Sequence, residues 1–262
     1  SYVNMTHRAT TGSGTWTEQI LSSSDSNGVY RYMIWNRSAV GGLNNETIHM
    51  VALTEPSGGT WTGVPFDGVS GALLYYRSQD EGITWDRQDI QLPGTDSSTQ
   101  IGMSGDVYAI AAQGETVVIA YFDDWGDSFI IKSTDNGDTW TTTTFLDFPI
   151  DKYTIDSGFD LDNNDTTDHV FTSDNCGAVI LDANGQAHVF YGVMQYNDHD
   201  LTDGGSNWYP GTNMLAYWNE SYGADYTDSI LQDTIGYIDA AGIVTPRGRW
   251  WSDMMNDHII TA

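Results

Sequence analysis

Two adjacent carboxyl residues, Asp123 and Asp124, end an apolar run of β-formers at 116–122. Paired carboxyls can divide acid and base work, as glycoside hydrolysis requires, when the partner carboxylate stands several ångströms away. Asp-Asp-Trp-Gly is equally good turn chemistry. Asp123 and Asp124 are therefore the catalytic candidates, with a plain turn as the competing reading. Further on, Asp160, Asp162, Asn164 and Asp168 place oxygens at the first, third, fifth and ninth positions of a calcium loop. The match to an EF-hand is broken twice: Asp165 replaces the turn glycine, and Phe171 stands where the bidentate Glu belongs. These side chains could bind Ca²⁺ in another geometry, or they belong to a solvated acidic loop.

Aromatic residues make a third group. Trp61 follows Gly58-Gly-Thr in a long loop at 54–71, and Trp208-Tyr209 follow Gly204-Gly-Ser-Asn in another at 196–213. A flat ring covers the apolar face of a sugar, and burying one is worth on the order of 1–3 kcal/mol. The expected ligand face thus carries Trp61, Asp123, Trp208 and Tyr209. The alternative is that these rings only pin their loops. A third long loop, 148–175, is rich in Asp and holds one basic residue, Lys152.

The elements that position these residues are announced by a repeat. Ser78-Gln-Asp80-Glu-Gly82-Ile-Thr84-Trp85 and Ser133-Thr-Asp135-Asn-Gly137-Asp-Thr139-Trp140 both read S-x-D-x-G-x-T-W. Ser and Asp side chains can satisfy backbone N–H groups in a turn, and Gly permits a positive φ. Trp can pack between sheets and find a partner for its indole N–H. A worn third copy runs from Met5 to Trp16, with Ala9, Thr11 and Ser13 in place of the Ser, Asp and Gly. A decayed one, Glu220-Ser-Tyr-Gly223, follows an apolar run at 214–218.

This repeat resembles the Asp-box, or bacterial neuraminidase repeat, of sialidase-like β-propellers. The resemblance implies an all-β propeller of four-stranded antiparallel blades, with the box capping the turn between the two outer strands. Ser78, Asp80, Gly82, Thr84, Trp85, Ser133, Asp135, Gly137, Thr139 and Trp140 are then structural, and neither Asp80 nor Asp135 is catalytic. The expected organisation is 1–28, outer strands of a shared blade; 29–105, a blade; 106–175, a blade with the acidic loop; 176–240, a blade; and 241–262, a further segment that includes a helix-like stretch at 249–260. First strands are expected at 29–35, 107–112 and 178–181, and second strands at 48–53, 116–122 and 187–192. The turn Asp182-Ala-Asn-Gly185 closes one hairpin, with Asn-Gly supplying positive φ angles. Propellers of this family close about six or more blades, so the chain is expected to be a portion of a longer protein.

Composition narrows the function classes. With 36 acidic against 9 basic residues and a net charge of −27, the chain lacks the basic footprint that nucleic acid or an anionic membrane surface requires. One cysteine, Cys176, excludes an internal disulfide framework. No apolar run reaches the length of a membrane span. A sialidase needs three arginines around its substrate's carboxylate. The chain has Arg8, Arg31, Arg37, Arg77, Arg87, Arg247 and Arg249, and only Arg31 and Arg37 flank an inner strand, so the triad cannot be assembled. The leading expectation is a secreted or cell-surface module that binds glycan or a protein partner. A glycoside hydrolase using paired carboxylates and a ligand-free scaffold are the alternatives.

The calcium expectation has a direct test. Ca²⁺ held by Asp160, Asp162, Asn164 and Asp168 raises the melting temperature by mass action, and chelator reverses the rise. A melting curve indifferent to both leaves the acidic loop as a solubility feature.

Overall fold

The computed structural model describes residues 3–8, 10–21, 23–158, 160, 163, 165–224, 234–238 and 244–245. The helix-like stretch at 249–260 lies outside them. The described residues are almost wholly β. Strands β1 (Val3–His7) and β2 (Thr17–Leu21) form a hairpin, and β3 (Ser23–Ser24) pairs with β4 (Tyr30–Arg31). Next come β5 (Met33–Gly41) and β6 (Thr47–Thr54), the small hairpin of β7 (Ser57–Gly58) and β8 (Trp61–Thr62), then β9 (Leu73–Ser78) and β10 (Arg87–Gln91). These are followed by β11 (Tyr108–Gln113), β12 (Thr116–Tyr121), β13 (Ser128–Ser133) and β14 (Thr141–Leu146). The last are β15 (Val170–Leu181), β16 (Ala187–Asn197), β17 (Asn207–Asn219), β18 (Thr234–Ile238) and β19 (Val244–Thr245). The helical content of the described residues is one 3-10 turn, Glu220–Tyr222, and no described helix is long and apolar enough to cross a membrane.

The larger sheets run in chain order: β5-β6-β9-β10, β11-β12-β13-β14, and the five-stranded β15-β16-β17-β18-β19. In the first sheet the middle strands are buried on both faces: β9 throughout, and β6 at all but one residue. Alternation of polar and apolar side chains is lost there for that reason, as in any strand covered on both sides. The outer strand β10 alternates half-buried and exposed. By contacts the chain divides into two compact units. One comprises Ser1–Ile119, Ile131–Thr142 and Ala183–Gly185, the other Ala120–Ile130, Thr143–Asp182 and Gln186–Ala262. Each is described by itself below.

Both S-x-D-x-G-x-T-W segments close turns with the same hydrogen bonds. Ser78 Oγ accepts from the Gly82 N–H at 2.7 Å and donates to Asp80 Oδ1 at 2.9 Å. Asp80 in turn accepts from Thr84 N and Thr84 Oγ1, each at 2.7 Å. In the second turn Ser133 Oγ accepts from Gly137 N at 2.8 Å, and Asp135 accepts from Thr139 N at 2.8 Å and Thr139 Oγ1 at 2.6 Å. Backbone angles repeat too: Glu81 and Gly82 have φ of 60° and 88°, Asn136 and Gly137 of 59° and 86°. Each turn also reaches the first hairpin of its own sheet, Glu81 N donating to Glu46 O and Asn136 N to Glu115 O. The Gly is required for space as well as φ, because a Cβ on Gly137 would lie 2.2 Å from the Tyr75 hydroxyl.

The residue before each Ser is a cation that reaches onward. Arg77 is buried; its guanidinium forks onto Asp86 at 3.1 and 2.5 Å and also donates to Asn136 O and Asp138 Oδ1 of the second turn. Burial works against its charge, yet the hydrogen bonds it donates to Asp86 and Asp138 outweigh that and hold its pKa above the ordinary value. Lys132 donates to Gly185 O at 2.7 Å.

Several sequence expectations shift. The first strand of the first sheet is β5, Met33–Gly41, rather than 29–35. Asp25 bonds Arg31 and caps Asn27 and Val29, folding 23–31 into its own hairpin, and β5 is half-exposed enough to carry Asn36-Arg-Ser. Strand β15 starts at Val170 rather than 178, and β17 begins at Asn207, so both flanking loops are shorter than expected. In the turn at 182–185 only Gly185 takes a positive φ. The Trp85 indole N–H is buried and finds no partner, against expectation. The N-terminal copy keeps two positive-φ glycines, but its Trp16 is exposed beneath Arg8 instead of packed. In the decayed copy Asn219 takes over from Ser, accepting from Ser221 N, and Gly223 keeps φ at 82°.

The box bonds lead to two expected outcomes. Ser78→Ala lowers stability in urea unfolding by roughly 1–3 kcal/mol, the cost of leaving the buried Gly82 N–H unpaired. Asp135 is held down to about 2 by Thr139, first through its hydroxyl and then through its N–H. Its contribution is present above the unfolded value of 3.8 and is lost as pH falls toward about 2. The stability gap between the wild type and Asp135→Asn therefore closes over that interval, and a constant gap would show the bonds to be absent.

Candidate functional site

Asp123 and Asp124 follow β12 as expected, in a turn whose backbone is set by Asp123 itself. The Asp123 N–H donates to Ser128 Oγ at 3.0 Å, and Asp123 Oδ1 accepts from Trp125 N at 3.0 Å. The Asp123 carbonyl accepts from Thr172 Oγ1 of β15 at 3.2 Å. Gly126 leaves the carboxylate room, since a Cβ there would meet Asp123 Oδ2 at 3.0 Å.

Both carboxyls are held protonation-prone by burial. Desolvation pushes Asp123 up to about 7, opposed by the Trp125 N–H and reinforced by Asp124. Desolvation raises Asp124 as well, opposed by hydrogen bonds that include Asn175 and Asp123. The turn forms as expected, and desolvation raises both of its carboxyls.

A third carboxyl, Asp174, falls in the Asp-rich 148–175 loop by sequence but stands within β15 in the structure. It sits on a β-bulge between Ser173 and Gly177, with Asn175 at φ 66°. Its carboxylate lies over Gly192 of β16, where a Cβ would be 2.0 Å from Oδ2. Desolvation raises Asp174, against the hydrogen bond from Cys176 N at 3.0 Å. Tyr196 faces both Asp124 and Asp174; burial first, then these two charges, pushes its hydroxyl upward. Trp125, the residue after Asp124, packs against an apolar cluster of Phe148, Tyr153, Val170, Met194 and Tyr196. It stacks on Tyr153 at 4.9 Å and meets Tyr196 edge-on at 5.8 Å and Phe148 at 5.9 Å. Within one unit, then, the Asp123–Asp124 turn and the Asp174 bulge make a loose carboxyl cluster, joined through Asn175 and through Tyr196, which packs edge-on against Trp125. A Gly at 192 or 126 is a signal for this only once the strands are paired.

The other expected residues are placed as follows. Trp208 is 60% exposed on β17, in register with Tyr196, and Tyr209 packs on His169 at 4.9 Å. They stand on a strand, because the bulge-bearing β16–β17 ladder extends past the expected loop. Trp61 belongs to the other unit, on the β7–β8 hairpin, 43% exposed. In the acidic loop Asp160 Oδ2 accepts from Asp165 N at 2.7 Å, and Asp165 adopts the positive φ expected of the glycine it replaces. Asp162 and Asn164 lie outside the described residues. Among the described residues no three His, Cys, Asp or Glu side chains gather as a metal would need. The loop is instead tied down by Asp198, which is fully buried and accepts from the Tyr153 hydroxyl and from Asp156 N at 2.8 Å.

Every described arginine is engaged. Arg31 is buried and forms a 2.6 Å pair with Asp25, and it also donates to Pro65 O. Arg37 pairs with Asp106, Arg77 with Asp86 and Asp138, Arg87 with Asp138, and Arg8 lies over Trp16. Arg247 and Arg249 lie outside the described residues.

No family model and no curated protein matches the chain. Solved structures similar to it include a Penicillium chrysogenum α-L-arabinanase complexed with arabinobiose, 15% identical, TM-score 0.40, covering 94% of this chain and 61% of that one. Another is a mutant NanB sialidase from Streptococcus pneumoniae, 14% identical, TM-score 0.37, covering 86% of this chain. The chain thus spans 61% of the arabinanase and 29% of the sialidase.

The raised Asp123 carboxyl implies a pH dependence of stability. Its folded value of about 7 exceeds the unfolded 3.8. The associated stability is complete below 3.8 and is lost as pH rises through about 7. Asp123→Asn, which keeps the acceptor for Trp125 N, is expected to flatten the fall in urea midpoint across that window. A slope equal to the wild type would mean the carboxyl is solvated.

Proposed function

We propose that the chain forms β-propeller blades of a secreted or cell-surface protein that binds glycan at the cluster of Asp123, Asp124, Asp174 and Trp125. The reading is supported by one arrangement: Asp123 bonds the Trp125 N–H, Trp125 packs edge-on against Tyr196, and Asp124 and Asp174 both act on Tyr196. Carboxyl oxygens accept from sugar hydroxyls, and a flat ring covers the sugar's apolar face. Clustered groups with shifted pKa values are the commoner mark of a functional site than of a scaffold. The propeller reading is supported by successive antiparallel sheets, middle strands buried on both faces, and two turns with identical Ser–Asp bonding. The engaged arginines favour a ligand without a carboxylate. Trp208, exposed beside Tyr196 on the paired strand, extends the same surface.

Hydrolysis is a second reading, favoured by Asp123: an acid at about 7 matches a general acid working near neutral pH. A partner carboxyl about 5 Å or more away would complete the pair. Calcium at Asp160, Asp162, Asn164 and Asp168 remains a proposal of this reading.

A glycan array with the intact chain, followed by reducing-sugar assays on any bound glycan, separates these possibilities. Binding weakened at least about tenfold by Trp125→Ala, a loss of about 1.4 kcal/mol or more, with no product released, is the expected result. Product released by the wild type and not by Asp123→Asn establishes the hydrolase instead. No signal on any glycan sinks both and leaves a scaffold or protein-binding role.

A further inference from the structure

The unit that holds the first sheet contains an aromatic corner built from residues absent from the carboxyl cluster. Trp35 is held at φ 50°, in a bulge of β5 between Ile34 and Arg37. A bulky residue seldom takes this left-handed conformation, and bulges of this kind re-aim a side chain. Here the backbone is fixed by the Tyr108 hydroxyl, which donates to Trp35 O. The ring is fixed by Gly105: a Cβ there would lie 2.1 Å from the indole. Trp61 meets Trp35 edge to face at 5.3 Å and 78°. Its hairpin is pinned as well, since Thr62 donates through N–H and hydroxyl to Glu55 Oε1 at 3.2 and 2.9 Å. The tip at Gly58 and Gly59 has open space around it.

Polar groups flank the same corner. Arg37, two residues beyond Trp35, pairs with Asp106, the neighbour of Gly105, and both side chains stay about half exposed, at 44% and 58%. The corner therefore offers an exposed indole held at right angles to a seated one, with donors and an acceptor at its edge and no net charge.

We infer that Trp35 and Trp61 form a seat for a neutral sugar ring, a glycan-binding site in addition to the carboxyl cluster. The apolar face of the ring lies on Trp61, and its hydroxyls bond Asp106 and the free donors of Arg37. Anionic sugars gain nothing from an arginine already paired and meet the field of a chain carrying −27. The strain at Trp35 and the bare Cα of Gly105 serve to present the pair in advance of binding, which lowers the ordering cost. The inference rests on the carbohydrate reading above, but on different residues.

The test is an array of neutral, sialylated and uronate-bearing glycans probed with the intact chain and with Trp61→Ala, Trp61→Phe, Gly105→Ala and Trp125→Ala. Melting curves of each variant are recorded alongside. The expected result is a neutral-glycan signal reduced at least tenfold by Trp61→Ala at unchanged melting temperature. Trp61→Phe keeps most of it, and Gly105→Ala, which displaces the Trp35 ring, weakens it. Binding lost in Trp125→Ala but untouched in both Trp61→Ala and Gly105→Ala overturns this site and leaves the carboxyl cluster standing. The reverse pattern supports this site and removes the cluster. A stronger signal on sialylated or uronate glycans, itself lost in Trp61→Ala, overturns the neutral class.

Discussion

The hydrogen bond from a glycine N–H to a serine hydroxyl, Gly82 to Ser78 and Gly137 to Ser133, is the constraint on which the described sheets depend. A four-stranded unit needs its chain to reverse tightly between the third and fourth strands, and such a turn exposes N–H groups that burial would strand. Ser and Asp satisfy them from within the turn. The first residue of each left-handed pair points its own N–H at the first hairpin of the same sheet, Glu81 to Glu46 and Asn136 to Glu115. One local motif thereby ties both ends of a sheet together. Arg77 adds the step outward, because a buried guanidinium must find several acceptors and the next turn supplies two of them.

Once the strands are fixed in this way, their opposite ends become places where irregularity is tolerated. The carboxyl cluster arises there from a bulge, Asp174 to Cys176, and from two missing side chains. Gly192 receives the Asp174 carboxylate, and Gly177 receives Phe122, where a Cβ would be 2.3 Å from the ring. Phe122 in turn stacks on Tyr191 and packs against Phe145, so the strand that ends in Asp123 is locked just before the turn. The carboxyls are raised by being held in this packing, since desolvation is the first cause for each of them. Tyr153 serves both neighbours: it carries Trp125 on its ring and anchors the acidic loop on Asp198 through its hydroxyl.

Much of this was legible in the sequence, and the parts that were not share a cause. The box turns were readable because every interaction in them is local, spanning at most a few residues, so residue type and spacing suffice. The edge position of β5 hid its start, because an exposed strand carries Asn36, Arg37 and Ser38 and shows no apolar period. Asp174 was hidden inside a strand whose bulge breaks the alternation on which strand reading rests. Trp208 and Tyr209 looked like loop residues because nothing in their types separates a strand extension from a loop.

What the sequence determined by itself is the all-β class, the order of the hairpins, the identity and bonding of the two turns, and the strongly acidic charge. Those depend on residue type, short spacing or composition. What only the tertiary structure decided is that Asp174 sits on a bulge over Gly192, that Trp35 is aimed at Trp61, and that Arg31 is already paired. Each of these depends on strand register and on the space left by a distant glycine, and a one-residue change of register would turn every such side chain to the other face.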